Sequence, residues 1–181
     1  MPLTRLTPTD TVLLQIDWQE RLFPAMPAEL RDAALAAAGH LGWLARELEI
    51  PIVRTEQYAK GLGPTLGALG GCETVDKMTF SACEAPEFAR RLGATGRRTA
   101  LVTGMEAHIC VALTVRDLLE QGFGVVVVAD AVLSRRPGDK ALALERMRQD
   151  GAAIVPLESA LFELVGAAGT PLFKEIARRV K

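Results

Sequence analysis

Leu101-Val-Thr-Gly-Met-Glu-Ala-His-Ile-Cys110-Val-Ala-Leu-Thr114 decides how the rest of this 181-residue chain is read. An apolar run of strand length stops at Gly104, a short polar turn follows, and apolar residues then return on helical spacing. A strand passing through a tight turn into a helix is the repeating unit of a parallel α/β sheet. Cys110 stands at the foot of that helix, which makes it the first candidate for chemistry.

The segments around this unit repeat its pattern. Arg98 to Thr103 is a strand, Ile109 to Gln121 its helix, closed by Gly122, and Gly124 to Ala129 the next strand, whose valine run belongs inside a sheet. Upstream, Thr11-Val-Leu-Leu-Gln-Ile-Asp17 is a buried strand with a carboxylate at its C-terminal edge. Ala28 to Glu49 is the first long helix, Pro51 to Glu56 the second strand, and Tyr58 to Gly71, with five glycines, a loop with at most a turn of helix. Glu73 to Lys77 is a third short strand; Phe80 to Cys83 is a small-residue loop before a helix that begins at Pro86. Downstream come a helix over Pro137 to Gln149, a sixth strand over Ala153 to Pro156, a short helix over Ser159 to Leu164, and a terminal helix or neighbour-binding arm over Thr170 to Val180. Unbroken alternation predicts one domain over residues 1–181 with a doubly wound three-layer α/β/α fold and a six-stranded parallel sheet. Ligands of such sheets lie beyond the carboxyl ends of the strands, where Asp17, Lys77 and the turn after Thr103 all fall.

Composition narrows the function. Hydrophobic residues make up 49% and the net charge is -1, from 21 basic and 22 acidic residues, so no concentrated field draws the chain to nucleic acid or a membrane surface. No apolar run approaches the roughly 20 residues that span a bilayer, and no leader pattern opens the chain, which predicts a cytoplasmic protein. Cys72, Cys83 and Cys110 form no CxxC pair and are read as free thiols.

A thiol attacks as thiolate, and a helix N-terminus with a nearby cation lowers its pKa from a free value of about 8.5. Cys110 has the helix, Lys77 supplies a cation, Asp17 can carry the thiol proton, and amides in the Gly104-to-Cys110 turn can hold an oxyanion. Each residue also has a plainer reading: Cys110 as a small buried hydrophobe, Asp17 as a turn cap, Lys77 as a solvated side chain. Joint placement favours the catalytic one. Cys72 and Cys83 keep the plainer reading. His108 is read as a structural hydrogen-bonding residue, His40 as a helix-surface residue, and Arg135-Arg136 as a solvated pair with a secondary possibility of holding an anionic substrate.

With Asp17-Trp-Gln19, Lys77 before Phe80-Ser81, and Gly104-Met-Glu-Ala-His-Ile-Cys110-Val in place, the chain resembles the isochorismatase-like cysteine hydrolases from about Thr9 to Val165. Glu56-Gln-Tyr-Ala-Lys-Gly-Leu-Gly-Pro64 and Ala129-Asp-Ala-Val-Leu-Ser-Arg135 resemble the isochorismatase-domain-containing subgroup in particular. The resemblance implies strand order 3-2-1-4-5-6, a catalytic triad of Asp17, Lys77 and Cys110, oxyanion amides at Glu106 and Cys110, and a cis peptide at Met105-Glu106. Gln19 and Phe80, in the matched motifs, are read as substrate contacts, as are Phe23 and Tyr58, which lie on loops after strand ends where aromatics wall an apolar pocket or are buried against a subunit partner. The resemblance also implies a homo-oligomer, for which Leu172-Phe-Lys-Glu-Ile176 offers apolar surface. No D-x-H motif occurs and the chain has only His40 and His108, so neither a metal nor another cofactor is expected. The implied reaction is hydrolysis of an amide-like C–N bond in a small molecule. Alternatives are vinyl-ether hydrolysis of the isochorismatase type and a silent oligomeric binding or scaffold protein.

Overall fold

The computed structural model describes residues 4–180. Its strands are β1 (Thr11–Ile16), β2 (Ile52–Gln57), β3 (Thr74–Lys77), β4 (Thr99–Met105), β5 (Gly124–Leu133) and β6 (Ala153–Val155). They form one sheet, parallel at every pairing, in the order β3-β2-β1-β4-β5-β6. The helices are α1 (Ala28–Glu47), α2 (Ala59–Leu62), α3 (Pro86–Ala94), α4 (Ala112–Glu120), α5 (Pro137–Asp150), α6 (Leu157–Val165) and α7 (Pro171–Arg179).

Side chains alternate across a strand, so the continuous apolar runs feed two cores. Leu13, Leu101, Val126 and Val128 face α1, α6 and α7, packing with Leu41, Leu44, Leu161 and Ile176. Val12, Leu14, Val102, Val125 and Val127 face the other way, against Phe88 of α3, Val115 and Leu118 of α4, and Met147 of α5. That is the three-layer fold expected, with β1 and β4 at its centre.

Three local differences matter. First, β5 does not end at Ala129 but runs to Leu133. The β4–β5 register is Val102↔Val127 and then Gly104↔Val132, so β5 accommodates the exposed Asp130 in an irregularity and resumes pairing; a polar residue is tolerated where the ladder is already broken. Second, β4 continues two residues past Thr103. Gly104 pairs with Ile16 at φ +152, and a Cβ there would stand 2.4 Å from the Ile16 carbonyl oxygen, so only glycine fits. Third, α7 is the terminal helix of the two readings, and it packs on its own chain. Ile176 is buried, the Phe173 ring lies 5.7 Å from Phe162, and the Arg179 guanidinium sits 4.1 Å from the Trp43 ring centre, so much of the apolar content of Leu172-Phe-Lys-Glu-Ile176 is used within the chain.

Candidate active site

The order of the sheet reverses between β1 and β4, and the crevice above that point is where a doubly wound fold gathers polar groups. Asp17 follows the last residue of β1 with φ 53 and no exposed surface. Its Oδ1 accepts from Thr55 Oγ1 at 2.6 Å and its Oδ2 from Lys77 Nζ at 2.9 Å. Lys77 closes β3, two strands away, and its side chain is likewise fully enclosed. Its Nζ also reaches Gln57 Oε1 at 2.6 Å and the carbonyls of Thr79 and Phe80 at 3.2 Å each. An ammonium has three hydrogens, so four acceptors saturate it. This compensation is what lets an ion pair persist where desolvation alone would expel it.

The thiol of Cys110 joins the same cluster, with Sγ 3.9 Å from Gln57 Oε1. Burial pushes it up to about 12, the Asp17 carboxylate adds to that, and the Lys77 charge opposes without reversing it. The sequence expectation was the opposite, a thiol lowered by a helix end and a cation. The causes are burial and the sequence-distant Asp17 carboxylate; the thiol also stands not in the first turn of a regular helix but in a wide π-type turn, Ala107–Val111, that precedes α4. The resting thiol therefore carries its proton.

The turn itself has a distinct wiring. The Met105–Glu106 peptide is cis. The Glu106 carbonyl accepts from the amides of Ile109 at 3.1 Å and Val111 at 3.2 Å, passing over the amide of Cys110 between them. The buried Glu106 carboxylate accepts from the Arg135 amide at 3.1 Å and Arg135 Nε at 3.0 Å. His108 Nδ1 lies 3.0 Å from Ser134 Oγ, the structural role expected of it.

The four residues expected to contact substrate separate. Gln19 is fully buried: its Oε1 accepts from Gln57 N at 2.8 Å, and its Nε2 donates to the carbonyls of Gln57 at 3.1 Å and Gly63 at 2.7 Å. Both its amide hydrogens are spent on the chain, so it straps the Tyr58-to-Thr65 loop to β2 instead of reaching a ligand. Phe23 packs toward the α1 core under Arg31, 5.7 Å from its ring. Tyr58 and Phe80 remain exposed, the first next to Gln57 in the chain and the second shortly after Lys77, from whose Nζ its carbonyl accepts. Arg135 is not simply solvated, since Glu106 holds it; Arg136 is exposed.

Sequence reasoning missed Gln57 and Thr55. The available signal was positional: β2 lies between the strands ending in Asp17 and Lys77, so polar residues at its own C-terminal end must meet both. Cys72 is half-buried against the Ile52 and Glu73 carbonyls, and Cys83 lies against the Thr114 carbonyl of α4. His40 is half-buried near Arg179, where burial and that positive charge lower its pKa. Among the described residues, no three His, Cys, Asp or Glu side chains converge as metal ligands. No helix among them is long and apolar enough to cross a membrane.

Residues 11–159 match the family model of the isochorismatase domain. The chain belongs to the isochorismatase family. It is similar to isochorismatase domain-containing protein 2A of Mus musculus, at 38% identity over 99% of this chain and 86% of that protein. Among solved structures, the MAR1 ribonuclease of Caenorhabditis elegans superposes with a TM-score of 0.89 at 36% identity, covering 98% of this chain and 92% of that one. YcaC from Pseudomonas aeruginosa, with hexane-2,5-diol and covalent acrylamide, gives 0.87 at 26% identity over 99% of this chain and 93% of that one. Hydrolases of the isochorismatase family are thus the setting in which the crevice of this chain is to be understood.

Proposed function

We propose that this isochorismatase-family chain is a cysteine hydrolase that cleaves an amide-like C–N bond of a small molecule through an acyl-enzyme on Cys110. The observation that carries this reading is the enclosed cluster of Asp17, Lys77, Gln57 and the Cys110 thiol at the switch point of the sheet.

In the first half-reaction Cys110 Sγ attacks the carbonyl carbon while Asp17 takes the thiol proton. Negative charge develops on the carbonyl oxygen, facing the amides of Glu106 and Cys110. The C–N bond then breaks and Asp17 returns the proton to the leaving nitrogen. In the second, Asp17 accepts a proton from water, whose oxygen attacks the thioester; the carboxylic acid departs and the sulfur recovers its proton. Lys77 stays charged, holds Asp17 in place, and balances the thiolate when it forms. Because the resting thiol is protonated, the base must act in concert with attack, which gives a buried carboxylate beside the sulfur its task.

Tyr58, Phe80 and the neighbouring Met78, all exposed, are apolar surface suited to a small uncharged substrate or to a second copy in a homo-oligomer. The MAR1 relative is named a ribonuclease, which brings phosphodiester cleavage into consideration. A balanced charge and a single enclosed cation at the thiol favour a neutral carbonyl over a polyanion. The test is a panel of small amides, ureas and carbamates, with single-stranded RNA beside them, offered to wild type and Cys110→Ala. Turnover of a carbonyl compound that disappears in Cys110→Ala supports the reading. Cleavage confined to RNA, or turnover retained by Cys110→Ala, refutes it.

A further inference from the structure

Glu106 is a carboxylate placed where a hydrolase gains nothing from extra negative charge. Its backbone belongs to the turn whose amides face the developing oxyanion, and its side chain is 7% exposed. That charge is answered chiefly by Arg135, which supplies both its amide and its Nε from the segment following β5, while His108 Nδ1 lies 4.0 Å from Glu106 Oε2. A second tie, His108 Nδ1 to Ser134 Oγ, joins the same two segments, two residues after Glu106 and one before Arg135. Across this seam β4 and β5 pass their register shift between Val102 and Gly104 and end their pairing at Met105↔Leu133, so little ladder remains to fix the turn.

We infer that Arg135 is a positioning residue for the hydrolytic step: it neutralises Glu106 and clamps the Met105-to-Val111 turn so that the turn's amides present positive ends to the oxyanion. The inference rests on the reading of Cys110 as nucleophile given above. It also makes a claim that a purely structural clamp does not. Removing the Arg135 side chain takes the guanidinium away from a buried carboxylate in the oxyanion turn and leaves it only the residue 135 amide and His108, so the damage should be undone in part by neutralising Glu106 as well. A simple loss of contacts would instead accumulate.

Two probes separate these outcomes without knowledge of the natural substrate. p-Nitrophenyl acetate acylates a thiol through a tetrahedral oxyanion: Sγ bonds to the carbonyl carbon, nitrophenolate leaves, and Asp17 takes the thiol proton. Iodoacetamide alkylates the same sulfur by displacing iodide, and no oxyanion forms. Rates at Cys110 are followed by nitrophenolate release and by peptide mass, which distinguishes Cys110 from Cys72 and Cys83. For Arg135→Ala the expected result is acylation slower by about tenfold or more with alkylation changed less than about twofold, the size associated with a weakened oxyanion site. Adding Glu106→Gln should bring acylation back to within about threefold of wild type. Thermal melts confirm that each variant is folded; Arg135→Lys, which keeps the charge, serves as a milder variant with an intermediate rate.

Unchanged acylation in Arg135→Ala, equal slowing with both reagents, or a double variant slower than either single one would overturn the inference. If instead wild-type Cys110 is acylated no faster than Cys72 and Cys83, it is the nucleophile assignment itself that fails.

Discussion

Cys83 and Cys110 approach α4 from different segments, and their thiols hold their protons equally well. Burial comes first in both cases, a carboxylate second, Asp117 for Cys83 and Asp17 for Cys110, and both are pushed up to about 12. What differs is what the neighbours are free to do. Asp117 already receives the Ser81 hydroxyl at 2.5 Å, and the opposing influence on Cys83 is that same hydroxyl. Asp17 is backed by a fully enclosed cation, and Lys77 opposes the rise at Cys110. Proton affinity alone therefore does not distinguish the two; the carboxylate with its own counter-ion and the adjoining turn are what support the proposal that Cys110 is the nucleophile.

The contrast breaks most visibly by substitution. Cys110→Ala and Asp17→Asn should each reduce turnover of a carbonyl substrate by at least about a thousandfold, as in other nucleophile–base units, while far-ultraviolet circular dichroism stays native. Cys83→Ala should keep turnover within about twofold. Equal losses from the two cysteine variants would erase the distinction.

Lys77→Met tests the cation's second role. It leaves the Asp17 carboxylate with Thr55 but without its counter-ion, so urea denaturation should show a loss of about 3 to 5 kcal/mol together with the loss of activity. A variant as stable as wild type would mean that the pair is not the tight unit its 2.9 Å separation describes. Gln57→Ala is milder: it removes one acceptor from Lys77 and the amide nearest the sulfur, and kcat should fall by about ten- to a hundredfold with the fold intact.

The smallest effect is shared by both thiols. Each has a folded-state pKa raised from an ordinary 9.0 to about 12, so the fold favours the protonated form. That contribution is whole below about pH 9 and is lost as the pH climbs toward 12, since the unfolded thiols ionise first. Urea midpoints measured from neutral pH into this alkaline range should decline, and less so in Cys83→Ala or Cys110→Ala. Parallel declines in all three proteins would place the alkaline loss elsewhere.

Much of this architecture was legible because the α/β alternation is local: Thr11 to Asp17 and Gly124 to Val128 announce buried strands by composition alone. Errors arose where a nonlocal neighbour decides. Asp130 looked like the end of a strand, but the register shift lets β5 pass it. The turn at Cys110 reads as a helix start but is a π-type turn, and the thiol's pKa is set first by burial and then by the sequence-distant Asp17. Gln57 was invisible for a similar reason, since its significance comes from two strands flanking its own. Gln19 is the reverse case: the matched motif marks it by position, and the hydrogen bonds that occupy its amide, to Gln57 and Gly63, are to residues far away in sequence.

The account depends above all on a covalent bond forming at one sulfur. Wild-type protein quenched in acid during turnover of p-nitrophenyl acetate and analysed by peptide mass should carry an acetyl group on the Cys110 peptide, at lower occupancy in Asp17→Asn and absent in Cys110→Ala. Undiminished hydrolysis by Cys110→Ala, or an acetyl group found only on Cys72 or Cys83, would contradict it.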